Sequence, residues 1–129
     1  MLFSTNKEKG LAGLSIAIAY FGSNGYVVSI PLNDTQDYDL IVEKEGKFYR
    51  VQCRSTGVTN KTGEYYAIHL RSYGGANGGT YYGTLKDSNA DLCFVVAADG
   101  RYYLFPINII TKNALLTLNQ DFDKYLVTI

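Results

Sequence analysis

The pattern that most restricts how this chain can fold lies in residues 37–56, DYDLIVEKEGKFYRVQCRST. Apolar residues are frequent on both sides of Glu45 and Gly46, and many of them are β-branched or aromatic. This composition predicts two strands, about residues 38–44 and 47–55, joined by a tight turn.

The register of this hairpin follows if Glu45 and Gly46 form a two-residue turn, because opposite residue numbers then sum to a constant. Asp39 then lies opposite Gln52, and Arg54 lies diagonal to Asp39 on the same face. A slip of one residue would turn each of these side chains to the other face. The same register sends the apolar set to the core: Tyr38, Leu40, Val42, Val51 and Cys53.

Asp39, Gln52 and Arg54 therefore form a predicted polar cluster with two interpretations. A carboxylate and an amide carbonyl are hard oxygen ligands of the kind that Mg²⁺ binds. A metal there could stabilise charge on a phosphate, with a neighbouring cation assisting. The alternative is a cross-strand polar pair with an exposed Arg54–Asp39 ion pair that contributes little stability.

Composition limits the function classes without choosing among them. The chain has 129 residues with twelve basic and twelve acidic side chains, so we expect one domain, residues 1–129. DNA binding then needs a local basic face, not a global charge. The apolar run in residues 11–21 is too short to span a membrane, and no signal peptide is evident, so we expect a cytoplasmic protein without a membrane partner. Cys53 and Cys93 fit buried, reduced thiols.

The remaining pattern predicts a mixed α/β fold, a central sheet flanked by helices. The expected elements are an N-terminal helix capped by Thr5 and Glu8, a strand in YVVSIP, a strand at 64–72, and a hairpin around Asp99 and Gly100. A short helix is expected after Pro106. We interpret the glycine-rich residues 73–83 as a flexible loop or a DNA-tracking loop.

Three basic residues flank the segments that would border a cleft: Lys61, Arg71 and Lys86. Such residues are typical of phosphate contacts, which position a protein on DNA without reading sequence. They are equally typical of an ordinary protein surface. His69 has no Ser or Cys partner at a suggestive spacing, so a catalytic role for it is not expected.

The hairpin and its flanks resemble the PD-(D/E)XK nucleases, in particular the subgroup of cyanobacterial group I intron homing endonucleases. The residues that carry the resemblance are SIPLNDTQDYDLIVEKEGKFYRVQCRST, preceded by KGLAGLSIAIAYFGSNGYVV and followed by SNADLCFVVAADGRYYLFPI. It covers most of residues 5–110. In this subgroup Gln replaces the usual second acid, and a Lys follows two positions later.

The resemblance implies a restriction-endonuclease-like core that cleaves double-stranded DNA with Mg²⁺ or Mn²⁺. Asp39, Gln52 and the backbone carbonyl of Cys53 would hold the metal, and Arg54 stands where the family has its catalytic lysine. Such small subunits generally act as homodimers or homotetramers.

Two departures from the family pattern keep other functions open. Leu14 stands where many relatives have a metal-contacting glutamate, and Arg54 keeps a charge but cannot shuttle a proton as lysine can. We therefore interpret the chain as a nuclease and keep two alternatives. One is a catalytically inactive relative that binds DNA or protein. The other is an interaction module that shares only the architecture.

Overall fold

A computed structural model describes residues 6–33, 36–74 and 80–129. One α-helix, α1, spans Asn6–Ser23. The strands in chain order are β1 (Val27–Ser29), β2 (Leu40–Lys44), β3 (Lys47–Thr56), β4 (Ala67–His69), β5 (Arg71–Gly74), β6 (Thr80–Thr84), β7 (Leu92–Ala97), β8 (Tyr102–Pro106), β9 (Leu115–Thr117) and β10 (Leu126–Val127). Short 3₁₀ helices span Leu85–Asp87, Ile107–Ile109 and Gln120–Tyr125.

The central sheet has six strands in the order β1-β2-β3-β7-β8-β10. β3 and β7 are parallel, whereas the other neighbours are antiparallel, so the sheet is mixed. Two smaller two-stranded sheets, β4–β9 and β5–β6, accompany it. The predicted α/β fold with a central mixed sheet is confirmed, and so is the hairpin around Asp99 and Gly100, which joins β7 to β8.

The central sheet separates two apolar cores. On one face, α1 packs Ala17 and Phe21 against Leu40, Val51 and Phe94. On the other face, Cys93, Val95 and Phe105 pack against residues of the small sheets and 3₁₀ helices, including Ile68, Leu70, Leu85 and Leu116. Among the described residues this second face is covered by β-structure and 3₁₀ turns, where the sequence led us to expect helix.

Two predicted elements differ from the structure. The single strand expected at 64–72 is divided into β4 and β5, because β4 pairs with β9 whereas β5 pairs with β6. The helix expected after Pro106 is one 3₁₀ turn, Ile107–Ile109, followed by strand β9. Branched residues at 107 and 109–111 restrict χ1 rotation and disfavour a continuing helix.

Two other expectations fall partly outside the described residues. Thr5 lies outside them, so the capping box of α1 is not described. The glycine-rich stretch 73–83 contains residues 75–79, which are also outside, although its flanks pair as the strands β5 and β6. Within the described ranges no helix combines the length and the hydropathy needed to cross a bilayer.

Candidate active site

The turn between β2 and β3 sets the register of the site. Glu45 has φ 55° and Gly46 has φ 78°, so both central residues adopt the left-handed conformation that a type I′ turn requires. Lys44 pairs with Lys47, and the ladder continues to Leu40 opposite Val51. The predicted hairpin register is therefore confirmed from the Lys44–Lys47 pair to the Leu40–Val51 pair.

The ladder between β2 and β3 ends at Leu40 opposite Val51, and Asp39 lies in a bend one residue earlier, so the predicted pairing of Asp39 with Gln52 is not part of the ladder. The backbone N–H of Asp39 donates to the Val51 carbonyl at 2.8 Å. Its side-chain Oδ2 accepts a hydrogen bond from the backbone N–H of Cys53, also at 2.8 Å. The carboxylate is thus held against the edge of β3 that β2 leaves uncovered.

The side chains of Gln52 and Arg54 lie on the sheet face opposite α1. In the parallel ladder Gln52 pairs with Cys93 and Arg54 pairs with Val95, and both partners belong to the core on that face. Cys53 alternates to the other face and packs in the core beneath α1, as predicted.

The prediction for Tyr38 is wrong. Tyr38 packs against the core opposite α1, whereas Leu40 and Val42 are buried beneath the helix. Residues 37–39 precede β2 and form no regular strand. The strict alternation of side chains therefore does not extend to Tyr38.

The backbone of β3 also directs the Cys53 carbonyl toward the site. Arg50 and Thr56 accept hydrogen bonds from Asp91 and Ala98 on the β7 side, so the even-numbered residues point their carbonyls that way. The N–H and C=O of one strand residue point in the same direction, and those of successive residues alternate. Since the Cys53 N–H points at Asp39, its carbonyl faces the same side of β3.

The electrostatics of Asp39 reflect two opposing influences. Burial raises the pKa of this carboxyl above its usual value, while the Cys53 N–H and the Arg54 guanidinium act to lower it. Desolvation is the larger cause, so in the absence of a further cation the protein makes this carboxylate harder to ionise. A divalent cation beside Asp39 would favour the ionised form.

The two cysteines have a different character. Both are free, Cys93 is buried, and burial raises the pKa of Cys93 to about 12 and that of Cys53 further still. The thiolate is the form that binds metals and acts as a nucleophile. Neither side chain is therefore suited to those roles near neutral pH, and Cys53 can contribute only through its backbone.

The chemistry of the three predicted ligands suits a hard divalent cation. Asp39 would offer a carboxylate oxygen, Gln52 an amide oxygen and Cys53 its backbone carbonyl, and Mg²⁺ prefers oxygen ligands while keeping several waters. The described residues contain no cluster of three or more His, Cys, Asp or Glu side chains that could hold a metal. That finding is consistent with this site, because only one of its donors is an acidic side chain.

A set of hydrogen bonds that sequence reasoning missed braces the approach to Asp39. Asp37 Oδ2 accepts from the backbone N–H of Asn89 at 2.9 Å. Asp91 Oδ2 accepts from the Arg50 N–H at 2.8 Å, and Arg50 donates to the Asn89 carbonyl at 3.2 Å. These bonds tie the segment before β2 to the segment before β7. Polar residues just before a strand were the available signal, but their partners are distant in sequence.

α1 approaches the site closely. A Cβ added to Gly13 would lie 2.5 Å from Ser55 Oγ and 3.7 Å from the Arg54 carbonyl oxygen, so the helix passes directly over β3. The next residue, Leu14, is half-buried and packs in the core beneath the helix. Leu14 therefore lies near β3, but its hydrocarbon side chain offers no ligand atom for a metal.

The three predicted basic residues do not form one group. Arg71 begins β5 and is exposed, and Lys86 lies half-buried in the 3₁₀ helix Leu85–Asp87. Their segments meet, because the Leu85 N–H donates to the Leu70 carbonyl at 2.7 Å. Lys61 is exposed in a separate loop between β3 and β4.

Comparison with known proteins identifies the class. The model of the PD-(D/E)XK endonuclease family matches residues 4–122, and the chain belongs to this family. The resemblance stated from the sequence is therefore confirmed.

A solved structure of a bacterial homing endonuclease, I-Ssp6803I, superposes with a TM-score of 0.73 at 24% identity, over 91% of this chain and 80% of that one. The structure of MepB covers 80% of this chain and 77% of its own, at 16% identity and a TM-score of 0.40, which is too low to indicate a shared fold. A comparison with curated proteins found no match.

Proposed function

We propose that this protein is an endonuclease that hydrolyses phosphodiester bonds of double-stranded DNA with a divalent metal, Mg²⁺ or Mn²⁺, in the manner of a homing endonuclease. Residues 1–129 act as one nuclease-like domain in this proposal, working in the cytoplasm. Membership of an endonuclease family supports the reaction class, and the site geometry supports the choice of residues.

The observation that carries the proposal is the Asp39 carboxylate held at 2.8 Å from the Cys53 N–H, beside the carbonyl edge of β3. An Asp with a purely structural role could accept the same hydrogen bond. Yet burial raises the pKa of this carboxyl, so its ionised form lacks full compensation from the protein. A half-buried carboxylate at the edge of β3 is an environment that a bound cation would complete, with Gln52 and the Cys53 carbonyl as the proposed neutral ligands.

In the proposed mechanism Asp39 is the charged metal ligand, and Gln52 and the Cys53 carbonyl are neutral ligands. When bound, the metal supplies charge stabilisation on the phosphate and lowers the pKa of a coordinated water. Arg54 lies on the same sheet face as Gln52 and acts as a fixed cation toward the scissile phosphate. Because arginine stays protonated, solvent and not Arg54 must accept the proton from the attacking water.

The alternative function, a catalytically inactive relative that binds DNA or protein, is favoured by one specific observation. Leu14 follows Gly13, where α1 lies against β3, and it is packed in the core. It cannot orient water or a second metal. The metal would then be held by a single acidic side chain, and the reaction would be slow or absent.

Plasmid cleavage distinguishes the two functions. Wild type, Asp39→Ala and the double variant Leu14→Glu with Arg54→Lys are incubated with supercoiled plasmid in Mg²⁺ and separately in Mn²⁺. The proposal expects nicked or linear product from wild type and none from Asp39→Ala. Cleavage by the double variant alone would instead support the inactive relative.

Calorimetry provides an independent measurement of the metal. Wild type is titrated with Mg²⁺ and with Mn²⁺, and Asp39→Ala serves as the matched control. Loss of the binding heat in the variant supports metal binding at Asp39. Equal heats in both proteins would place the metal elsewhere.

A further inference from the structure

Three segments meet around Leu70 on the sheet face that carries Gln52 and Arg54. The Leu70 N–H donates to the Ala114 carbonyl at 2.9 Å, and its carbonyl accepts from the Leu85 N–H at 2.7 Å. The side chains of Leu70 and Leu85 are buried in the core opposite α1. Leu70 therefore fixes the end of β4, the root of the β5–β6 hairpin and the residues before β9 in one place.

Each segment carries a cation within one or two residues of this meeting point. Arg71 follows Leu70, Lys86 follows Leu85, and Lys112 lies two residues before Ala114. Arg71 and Lys112 are exposed, and Lys86 is half-buried. We name this group, Arg71, Lys86 and Lys112, the basic junction. Lys112 did not stand out in the sequence, since its neighbours in the junction are distant along the chain.

The charge around the basic junction contrasts with that of the rest of the protein. The chain has equal numbers of acidic and basic residues, yet residues 65–86 and 100–120 contain no Asp or Glu. Those two stretches supply both small sheets and the segment before β9. The nearest acid in sequence is Asp87, whose Oδ2 accepts a hydrogen bond from Thr84 Oγ1 at 2.8 Å. The charged side chains of these two stretches are therefore all basic, although the net charge of the chain is zero.

Lys86, one member of the basic junction, lies within a limited distance of Asp39 at the candidate active site. Lys86 is three residues from Asn89, whose N–H donates to Asp37, and Asp37 is two residues before Asp39. At the length of an extended chain, this path is no more than about 25 Å. That is about seven base pairs of duplex DNA, measured along one strand.

We infer that the basic junction binds backbone phosphates of duplex DNA beside the cut site, and so holds the flank of the substrate. The inference rests on the proposed function. It adds the surface that positions the DNA and includes Lys112 in it. Arg and Lys at such a surface contact phosphates without reading sequence.

The β5–β6 hairpin favours duplex over single-stranded DNA. Among the described residues these two strands pair only with each other, and the junction lies at their root. A two-stranded β-ribbon has the dimensions of the DNA major groove. Phosphate contacts at the root of the hairpin would place it at such a groove.

The test measures binding separately from cleavage. A fluorescein-labelled 30-base-pair duplex of arbitrary sequence is titrated with the Asp39→Ala protein, without divalent metal, at several NaCl concentrations. A second protein, which carries Arg71→Gln and Lys112→Gln in addition to Asp39→Ala, is titrated in the same way. Lys124→Gln is the matched control, because Asp121 and Asp123 lie beside Lys124 in sequence. Thermal melts check that all variants are folded.

The expected result is that the double variant weakens binding about tenfold and lowers the slope of log K against log[NaCl] by about two. The control should leave both unchanged, and the single strand of the same sequence should bind more weakly than the duplex. An unchanged affinity and slope in the folded double variant would overturn the inference, as would no binding by the parent protein.

The plasmid assay separates the two proposals. If wild type cleaves plasmid but the junction variant binds as its parent does, only the inference about the basic junction fails. If the junction variant loses binding while wild type cleaves nothing in either metal, the inference stands and the nuclease proposal fails.

Discussion

At the scale of single residues, Asp39 illustrates how a candidate metal ligand departs from what stability alone would favour. It lies just before the first ladder pair of β2, and its carboxylate is held by the Cys53 N–H. Burial nevertheless raises its pKa, so the folded chain holds this group less favourably in its ionised form than water does. Such a cost is expected where a residue is retained for binding.

Asp39→Asn should raise the melting temperature at pH 7 in the absence of divalent metal. The folded-state pKa of Asp39 lies above the unfolded one, so folding takes up protons, and the free energy of unfolding falls as the pH rises through that window. Asp39→Asn has no carboxyl to ionise, so its free energy of unfolding does not fall in this way. Its amide oxygen can still accept a hydrogen bond from the Cys53 N–H. Melts from pH 3 to pH 8 should show no difference at the acidic end and an advantage for the variant at neutral pH.

Mg²⁺ should reverse this order. Metal that binds only the folded wild type raises its melting temperature in proportion to the logarithm of concentration, and the variant should not respond. A melting-temperature difference that does not change with pH would contradict the role given to the carboxylate charge.

At the scale of elements, the contact between α1 and β3 is the closest that the described glycines reveal. Gly13 allows the helix to lie against β3, where an added Cβ would meet Ser55 Oγ at 2.5 Å. Gly10 lies on the exposed side of the same helix, with nothing within 4 Å of an added Cβ. The close contact with β3 therefore requires a glycine at position 13 but not at position 10, although both glycines lower the helix propensity of α1.

Gly10→Ala and Gly13→Ala should change stability in opposite directions. Gly10→Ala should stabilise by about 1 kcal/mol through helix propensity, which raises the melting temperature by about 3 °C. Gly13→Ala should destabilise, because Ser55 or the helix must shift. Adding Ser55→Ala to Gly13→Ala should recover part of the loss. A stabilising Gly13→Ala, measured by urea unfolding, would show that the contact is not tight.

The hairpin turn offers a second test at this scale. Glu45 has φ 55°, a conformation that costs most residues about 1 kcal/mol and that Asn tolerates better. Glu45→Asn should therefore stabilise the protein by up to about 1 kcal/mol, whereas Gly46→Ala should destabilise it. If Glu45→Asn lowered the midpoint of chemical unfolding, the turn in solution would differ from type I′.

At the scale of the whole molecule, the sheet face opposite α1 is only partly covered. β4, β9 and the 3₁₀ helices pack over the half formed by β7 and β8. On the other half, Val27, Glu43 and Phe48 form one row across three strands, and Val27 and Phe48 are 60% and 67% exposed. Exposed apolar groups on a sheet face are a common feature of contacts between subunits.

We expect the protein to assemble as a homodimer or homotetramer, since in the proposed function one active site would cut only one strand of a duplex. Sedimentation equilibrium at micromolar concentration should give two or four times the chain mass of 14.3 kDa. Phe48→Ser should lower this mass if the exposed row contributes to the contact. A monomeric wild type would contradict the assembly, whereas an unchanged mass in Phe48→Ser would exclude only the row.

The sequence by itself determined the hairpin that builds the site. The apolar runs at residues 40–44 and 47–55 and the Glu45–Gly46 turn are local signals, and they fix both the register and the side of the sheet on which Gln52 and Arg54 lie. The second hairpin, between β7 and β8, followed from the same kind of signal. The family resemblance could also be found from the sequence, because its motif lies within this short stretch.

The tertiary structure alone decided where the chain changes partners. Leu70 separates β4 from β5 because two distant segments bond to its N–H and carbonyl, and residues 115–117 form β9 because β4 is there to pair with. The same long-range packing joins Asp37 to Asn89 and gathers the basic junction. Such contacts connect residues far apart in the chain, so no local pattern of polarity or turn residues specifies them.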